Sequence, residues 1–128
     1  STDLATLYGG FHQVVKLLYE KYTYIPIIVC TPLQRSSKSG STGTYPACSR
    51  DQNQKGYYMS DYQDAIRKAA DYYNIPVFEA GNLTNLDPHN QFIYENYLPD
   101  GLHPNTDGHT LIGKALAKFI NNNLYLPL

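Results

Sequence analysis

The sequence predicts an α/β domain built on a parallel sheet, and three observations carry that prediction. Helical and strand-like segments alternate along the chain in the order helix, strand, helix, strand, helix. The two strand segments, Ile27-Ile28-Val29-Cys30 and Ile75-Pro76-Val77-Phe78, are short apolar runs without the alternation of a half-solvated strand, so both faces are expected to be covered. A polar stretch follows each of them, at the carboxyl ends where open α/β sheets place their ligands.

The chain has 128 residues, enough for one domain, and residues 1–128 read as a single unit. Ten Lys+Arg against 11 Asp+Glu leave a net charge of −1, without the clustered basic residues that phosphate neutralisation needs. Nucleic acid is therefore not an expected partner. No apolar run approaches the roughly 18–20 residues of a membrane-spanning helix, and Ser1-Thr2-Asp3 does not open a signal peptide. The first residue is not Met, which leads to the expectation of a processed or trimmed piece of a longer protein. Tyrosine occurs 13 times and tryptophan never. Packing accounts for most of these rings, while Tyr45, Tyr57, Tyr58, Tyr94 and Tyr97 fall in loop-like stretches where they can border an acyl or sugar pocket.

The first helix is written by Leu4, Leu7, Phe11, Val14, Val15, Leu18 and Tyr22, spaced three and four apart with polar residues between them. Gly9-Gly10 inside it implies a close backbone contact there, since each glycine costs a helix about 1 kcal/mol. Cys30 ends an apolar run and is expected to be a buried, inert thiol. Cys30 and Cys48 match no zinc spacing, and whether they form a bridge is left open by the sequence. Residues 33–58 show no sustained period and read as a long loop. Its serines, among them Ser36, Ser37, Ser39, Ser41 and Ser49, are read as solvated loop residues. Ser60-Asp61-Tyr62-Gln63 has the form of a capping box opening the second helix, with Tyr62, Ala65, Ile66, Ala69, Ala70 and Tyr73 on its inner face and Asn74 closing it. Residues 79–100 show no clear periodicity. Thr106 is the expected N-cap of a last helix that turns Leu111, Ile112, Ala115, Leu116, Phe119 and Ile120 inward and Lys114 and Lys118 outward.

Two strands and three helices leave a deficit, because such a sheet has edges and faces that nothing covers. Further strands are expected from a preceding segment or from another chain.

The densest set of reactive side chains is Asp100-Gly101-Leu102-His103-Pro104-Asn105-Thr106-Asp107-Gly108-His109. If Gly101-Leu102 forms a turn, the Asp100 carboxylate can accept a hydrogen bond from His103 Nδ1–H. That fixes the tautomer and leaves Nε2 free to take a proton from a nucleophile. A metal reading with Asp100, His103, Asp107 and His109 as ligands lacks diagnostic spacing, and no metal or other cofactor is expected. His12 is read as solvent-facing on the first helix, and His89 as a turn residue.

This last block, with the helix after it, resembles the final conserved block of the SGNH (GDSL-type) hydrolases. Tyr8-Gly9-Gly10-Phe11 through Ile27-Ile28-Val29-Cys30-Thr31-Pro32-Leu33-Gln34-Arg35 is similar to that family's helix and fourth strand. Ile75-Pro76-Val77-Phe78-Glu79 resembles its fifth strand, with Glu79 where the family often has Asp. The resemblance implies the carboxy-terminal part of a three-layer α/β/α sandwich, with the N-terminal strands absent from this chain. It also implies a metal-free serine esterase, acylhydrolase or carbohydrate deacetylase in which His103 is the base and Asp100 its orienting carboxylate. The family's Gly-Asp-Ser nucleophile block and its Gly-x-Asn-Asp block do not occur here, so the nucleophile and oxyanion donors are expected from outside the chain. The substrate class implied is an acylated small molecule or carbohydrate. A non-catalytic module that binds glycans or a cell surface on the same scaffold is the alternative that the sequence leaves open.

Overall fold

The computed structural model describes residues 3–36 and 48–125. Its elements run α1 (Leu4–Lys21), β1 (Val29–Cys30), α2 (Met59–Tyr72), β2 (Val77–Phe78), α3 (Ala80–Thr84), α4 (Gln91–Tyr97) and α5 (Thr106–Asn123). The strands pair in parallel, Val29 opposite Val77 and Cys30 opposite Phe78, with Val29 N–H donating to Pro76 O at 3.1 Å and Thr31 N–H to Phe78 O at 3.1 Å.

Alternation of side chains across the strands sorts the helices into layers. Val29 and Val77 join Val15 and Phe11 of α1 and Ala70 of α2 in one apolar cluster, together with Ile27, Tyr73 and Ile75. Phe78 points the other way and meets Phe119 of α5 edge-on, ring centres 5.5 Å apart. Helices α1 and α2 therefore form one layer, the sheet the second and α5 the third. The expected three-layer sandwich is present with a two-stranded sheet among the described residues.

Local chemistry sets the helix boundaries. Asp3 caps α1, its carboxylate accepting from Ala5 N–H at 2.8 Å. Helix α2 begins at Met59, before the expected Ser60 start, because Asp61 reaches back to accept Tyr58 N–H at 2.7 Å. Its inner face holds Ala65, Ala69 and Ala70 as expected, and also Gln63, whose amide donates to Pro32 O at 3.1 Å. Asn74 ends that helix in the left-handed region, φ 56°. Helix α5 is capped by Asn105, not Thr106: the Asn105 side chain accepts from Gly108 N–H at 2.9 Å.

Several expectations fail on packing. Nothing approaches Gly9 or Gly10 closely enough to require a glycine. Val14 lies 56% exposed, because α1 turns the Val15 side of its stripe to the sheet and leaves Val14 and Leu17 uncovered. Cys30 is exposed: it shares a face with Phe78, and α5 covers Phe78 but not its neighbour strand. Both cysteines are free thiols. The stretch 79–100 contains α3 and α4, five and seven residues long, too short to display a helical period. No helix among the described residues is long and apolar enough to cross a membrane.

Candidate active site

The turn between α4 and α5 is fastened before any functional group is placed on it. Leu98 is fully buried, and its carbonyl accepts from Gly101 N–H at 2.7 Å. Gly101 adopts φ 77°, a left-handed conformation that side-chain-bearing residues resist. Its carbonyl in turn accepts from Ser36 N–H at 2.9 Å. Ser36 belongs to the segment that leaves the carboxyl end of β1, so the turn sits at the end of the sheet where α/β proteins bind ligands. On the far side Asn105 donates its backbone N–H to Tyr97 O at 2.9 Å and its side-chain amide to Asn96 O at 2.7 Å, tying the entry of α5 to the end of α4.

Within this frame Asp100 and His103 meet. Asp100 Oδ1 accepts from Leu102 N–H at 2.8 Å and His103 N–H at 2.7 Å, and Oδ2 lies 2.7 Å from His103 Nδ1. One carboxylate oxygen thus organises the turn and the other holds the ring. The backbone N–H of His103, its ring and the Leu102 N–H together hold the Asp100 carboxyl down at about 2, so it is an anion at any ordinary pH. With Nδ1 occupied, Nε2 is the ring nitrogen left for chemistry. The two side chains are 76% and 53% exposed, His103 the more open.

The other residues singled out in the sequence lie elsewhere. Asp107 and His109 sit exposed on the first turn of α5, and among the described residues no three His, Cys, Asp or Glu side chains converge as metal ligands would. His12 is not solvent-facing. Its Nδ1 is hydrogen-bonded to the Tyr73 hydroxyl and its ring packs edge-on against Tyr72 and Tyr73, because Tyr73 at the end of α2 reaches across to α1. Ser36 and Ser49 are buried rather than solvated. Ser49 Oγ accepts Arg35 N–H at 3.2 Å and is bonded to the Gln34 side chain, closing the base of the loop. Ser37, Ser39, Ser41 and Tyr45 lie outside the described residues. Glu79 accepts from Arg67 of α2 at 2.6 Å and from Thr31 Oγ1 at 3.1 Å, a structural brace between strand ends. His89 sits in a turn as expected, and its ring also bridges Asp87 and Cys48. An Asp-x-His triplet is visible in the sequence, but Cys48 lies 41 residues away and no local pattern connects them. A cavity of about 520 Å³ opens between the β1–α2 segment and α3, with Gln34, Ser49, Tyr58, Gln63, Asn82 and Asp87 among its walls. Neither Asp100 nor His103 lines it.

A family model described as GDSL-like lipase/acylhydrolase matches residues 3–116. The chain belongs to that family. Solved structures share the fold of this chain. One crystal structure matches with TM-score 0.82 at 21% identity over 92% of this chain and 52% of its own. A protein from Lactobacillus plantarum matches with TM-score 0.80 at 24% identity, over 92% and 54%. The esterase domain of the ORF1 protein from the zebrafish ZfL2-1 retrotransposon matches with TM-score 0.64 at 16% identity, over 94% and 61%. This GDSL-like chain therefore spans about half the length of the first two structures it resembles. No curated protein sequence matches it significantly.

Proposed function

We propose that this chain supplies the acid–base half of a serine ester hydrolase. One observation carries the reading: the His103 ring is gripped at Nδ1 by an ionised carboxylate 2.7 Å away while Nε2 stays open to the outside. In the reaction His103 Nε2 takes the proton of a serine hydroxyl as that oxygen attacks an ester carbonyl. The same nitrogen returns the proton to the departing alcohol, and a second cycle with water releases the acid. Asp100 stays ionised and stabilises the imidazolium while the ring is charged.

The serine and the oxyanion donors come from outside these 128 positions, from the preceding segment of the same protein or from another chain that completes the sheet. A partner there would also exclude water from Asp100 and His103, strengthening an ion pair that solvent screens in the open turn. The substrate is an acylated small molecule or carbohydrate.

In the complete protein a serine-reactive fluorophosphonate is expected to label one site, and His103→Ala to lower kcat by about three powers of ten with the fold retained. Absence of labelling, or normal turnover by His103→Ala, overturns the assignment; retention on an acetylated-glycan column without labelling would favour a binding module. The isolated 128-residue chain is expected to hydrolyse no ester, and turnover that depends on His103 there would show that the outside serine is not needed.

A further inference from the structure

A second constellation of reactive groups lies apart from Asp100 and His103. Cys48 Sγ is 3.1 Å from His89 Nε2, and His89 Nδ1 is 2.7 Å from Asp87 Oδ1. The same carboxylate oxygen accepts the His89 backbone N–H at 3.0 Å, so ring and backbone are fixed together. The other oxygen of Asp87 pairs with Arg50 Nη2 at 3.1 Å, and the Arg50 backbone N–H points back at Cys48 Sγ at 3.4 Å. The thiol, the imidazole, the carboxylate and the guanidinium form a closed ring of contacts between two segments distant in sequence. The His89 side chain, 20% exposed, is more enclosed than those of Asp87 and Arg50.

We propose that Cys48 is a reactive thiol, deprotonated by His89 under the control of Asp87, that exchanges with small disulfides and carries a mixed disulfide. Asp87 must remain an anion for this. Burial pushes its carboxyl up, but the His89 backbone and ring N–H groups and the Arg50 charge pull it further down, leaving the net direction downward. The imidazole is placed to take the thiol proton as the sulfur attacks, and the Arg50 N–H points at the Sγ on which charge develops.

The geometry favours a disulfide over an ester as the electrophile. Attack on an ester carbonyl builds an oxyanion that needs donors aimed at it. Attack on a disulfide sulfur builds none: the Sγ–S bond forms, the S–S bond of the small disulfide breaks, and its leaving thiolate takes the proton from His89. Cys48 is oxidised, one thiol is released, and His89 ends neutral. Space for the incoming molecule lies on one side of the ring: Arg50 and Asp87, two of its members, and Ser49, the residue after Cys48, line the cavity of about 520 Å³, whereas Cys48 and His89 stand outside its wall.

The protein carries its own control. Cys30 is exposed on β1, and desolvation pushes its thiol up. Exposure alone would make Cys30 the faster thiol, whereas activation by His89 makes it Cys48. The reduced protein is treated with limiting oxidised glutathione at pH 6 and pH 8, quenched in acid, and the adducts are assigned to each cysteine by peptide mass. Cys48 is expected to react at least about tenfold faster than Cys30 at pH 6, and His89→Gln to abolish that advantage. Asp87→Asn is expected to reduce it. An equal or faster reaction at Cys30 at pH 6 in the unmodified sequence overturns the proposal without recourse to any variant. So does a Cys48 rate that His89→Gln leaves unchanged.

Discussion

Asp100 accepts three hydrogen bonds from the two residues that follow Gly101, and this makes its ionisation a structural event as well as a chemical one. Its folded value of about 2 lies below the ordinary 3.8. A carboxyl depressed in this way contributes stability that is complete above about pH 4 and lost as pH falls through about 2. Carboxyl NMR should therefore place the Asp100 titration near pH 2, with the Leu102 and His103 amide shifts following the same curve. A midpoint near 4 would mean that the turn does not hold its carboxylate in solution. With Asp100 titrating near pH 2, an acid limb in the hydrolysis profile above pH 4 belongs to some other group. Much of this residue-scale picture was legible in the sequence, because a D-x-x-H separated by Gly-Leu closes on itself through local bonds alone. The Cys48–His89–Asp87 ring was not, since its thiol comes from another part of the chain.

At the scale of elements, the entry of α5 is the joint on which the turn depends. Asn105 caps the helix through Gly108 N–H and braces it to Tyr97 and Asn96, while the position a Cβ on Gly108 would occupy lies 2.9 Å from both Tyr97 O and Pro104 Cβ. Asn105→Ala should cost about 1 kcal/mol from the cap alone. Gly108→Ala should cost about 1–3 kcal/mol, because a backbone carbonyl on a packed helix cannot withdraw without moving α4. Urea melts of the two variants check both values, and a neutral Gly108→Ala would show that α4 and α5 slide freely. The sequence made Thr106 the cap because Thr commonly caps and precedes the apolar stripe. Asn105 won because its side chain serves both helices at once, a demand that no single-helix pattern contains. The same limit hid α3 and α4, whose start and stop signals at Asn90 and Asn85 act over too few residues to make a stripe.

For the whole molecule, one carboxylate joins the layers. Glu79 at the end of β2 accepts from Arg67 of α2 and from Thr31 just beyond β1. Its carboxyl is held below its usual range, first by the Arg67 hydrogen bonds, against a smaller upward push from burial. The stabilisation is present above the unfolded value of about 4.5 and declines as acid protonates the group. Glu79→Gln is expected to lower stability by about 1–2 kcal/mol at pH 7, discounted for a partly exposed pair, with the difference shrinking toward pH 3. A pH-independent difference in urea melts would assign the loss to packing. The sandwich itself was legible from the order of elements and the two apolar strands. The exposure of Cys30, Val14 and Leu17 was not, because periodicity reports which residues share a face but not whether a neighbour is present to cover it. The two-residue strands carry a kinetic consequence. Thr31 and Glu79, at their ends, are 48 positions apart, so closing that loop costs about 3–4 kcal/mol of chain entropy against a handful of backbone bonds worth about 1 kcal/mol each. Pairing must then wait for α1 and α2 to dock, and the carboxyl end of the sheet is expected to form late in refolding, after the helices have collapsed together.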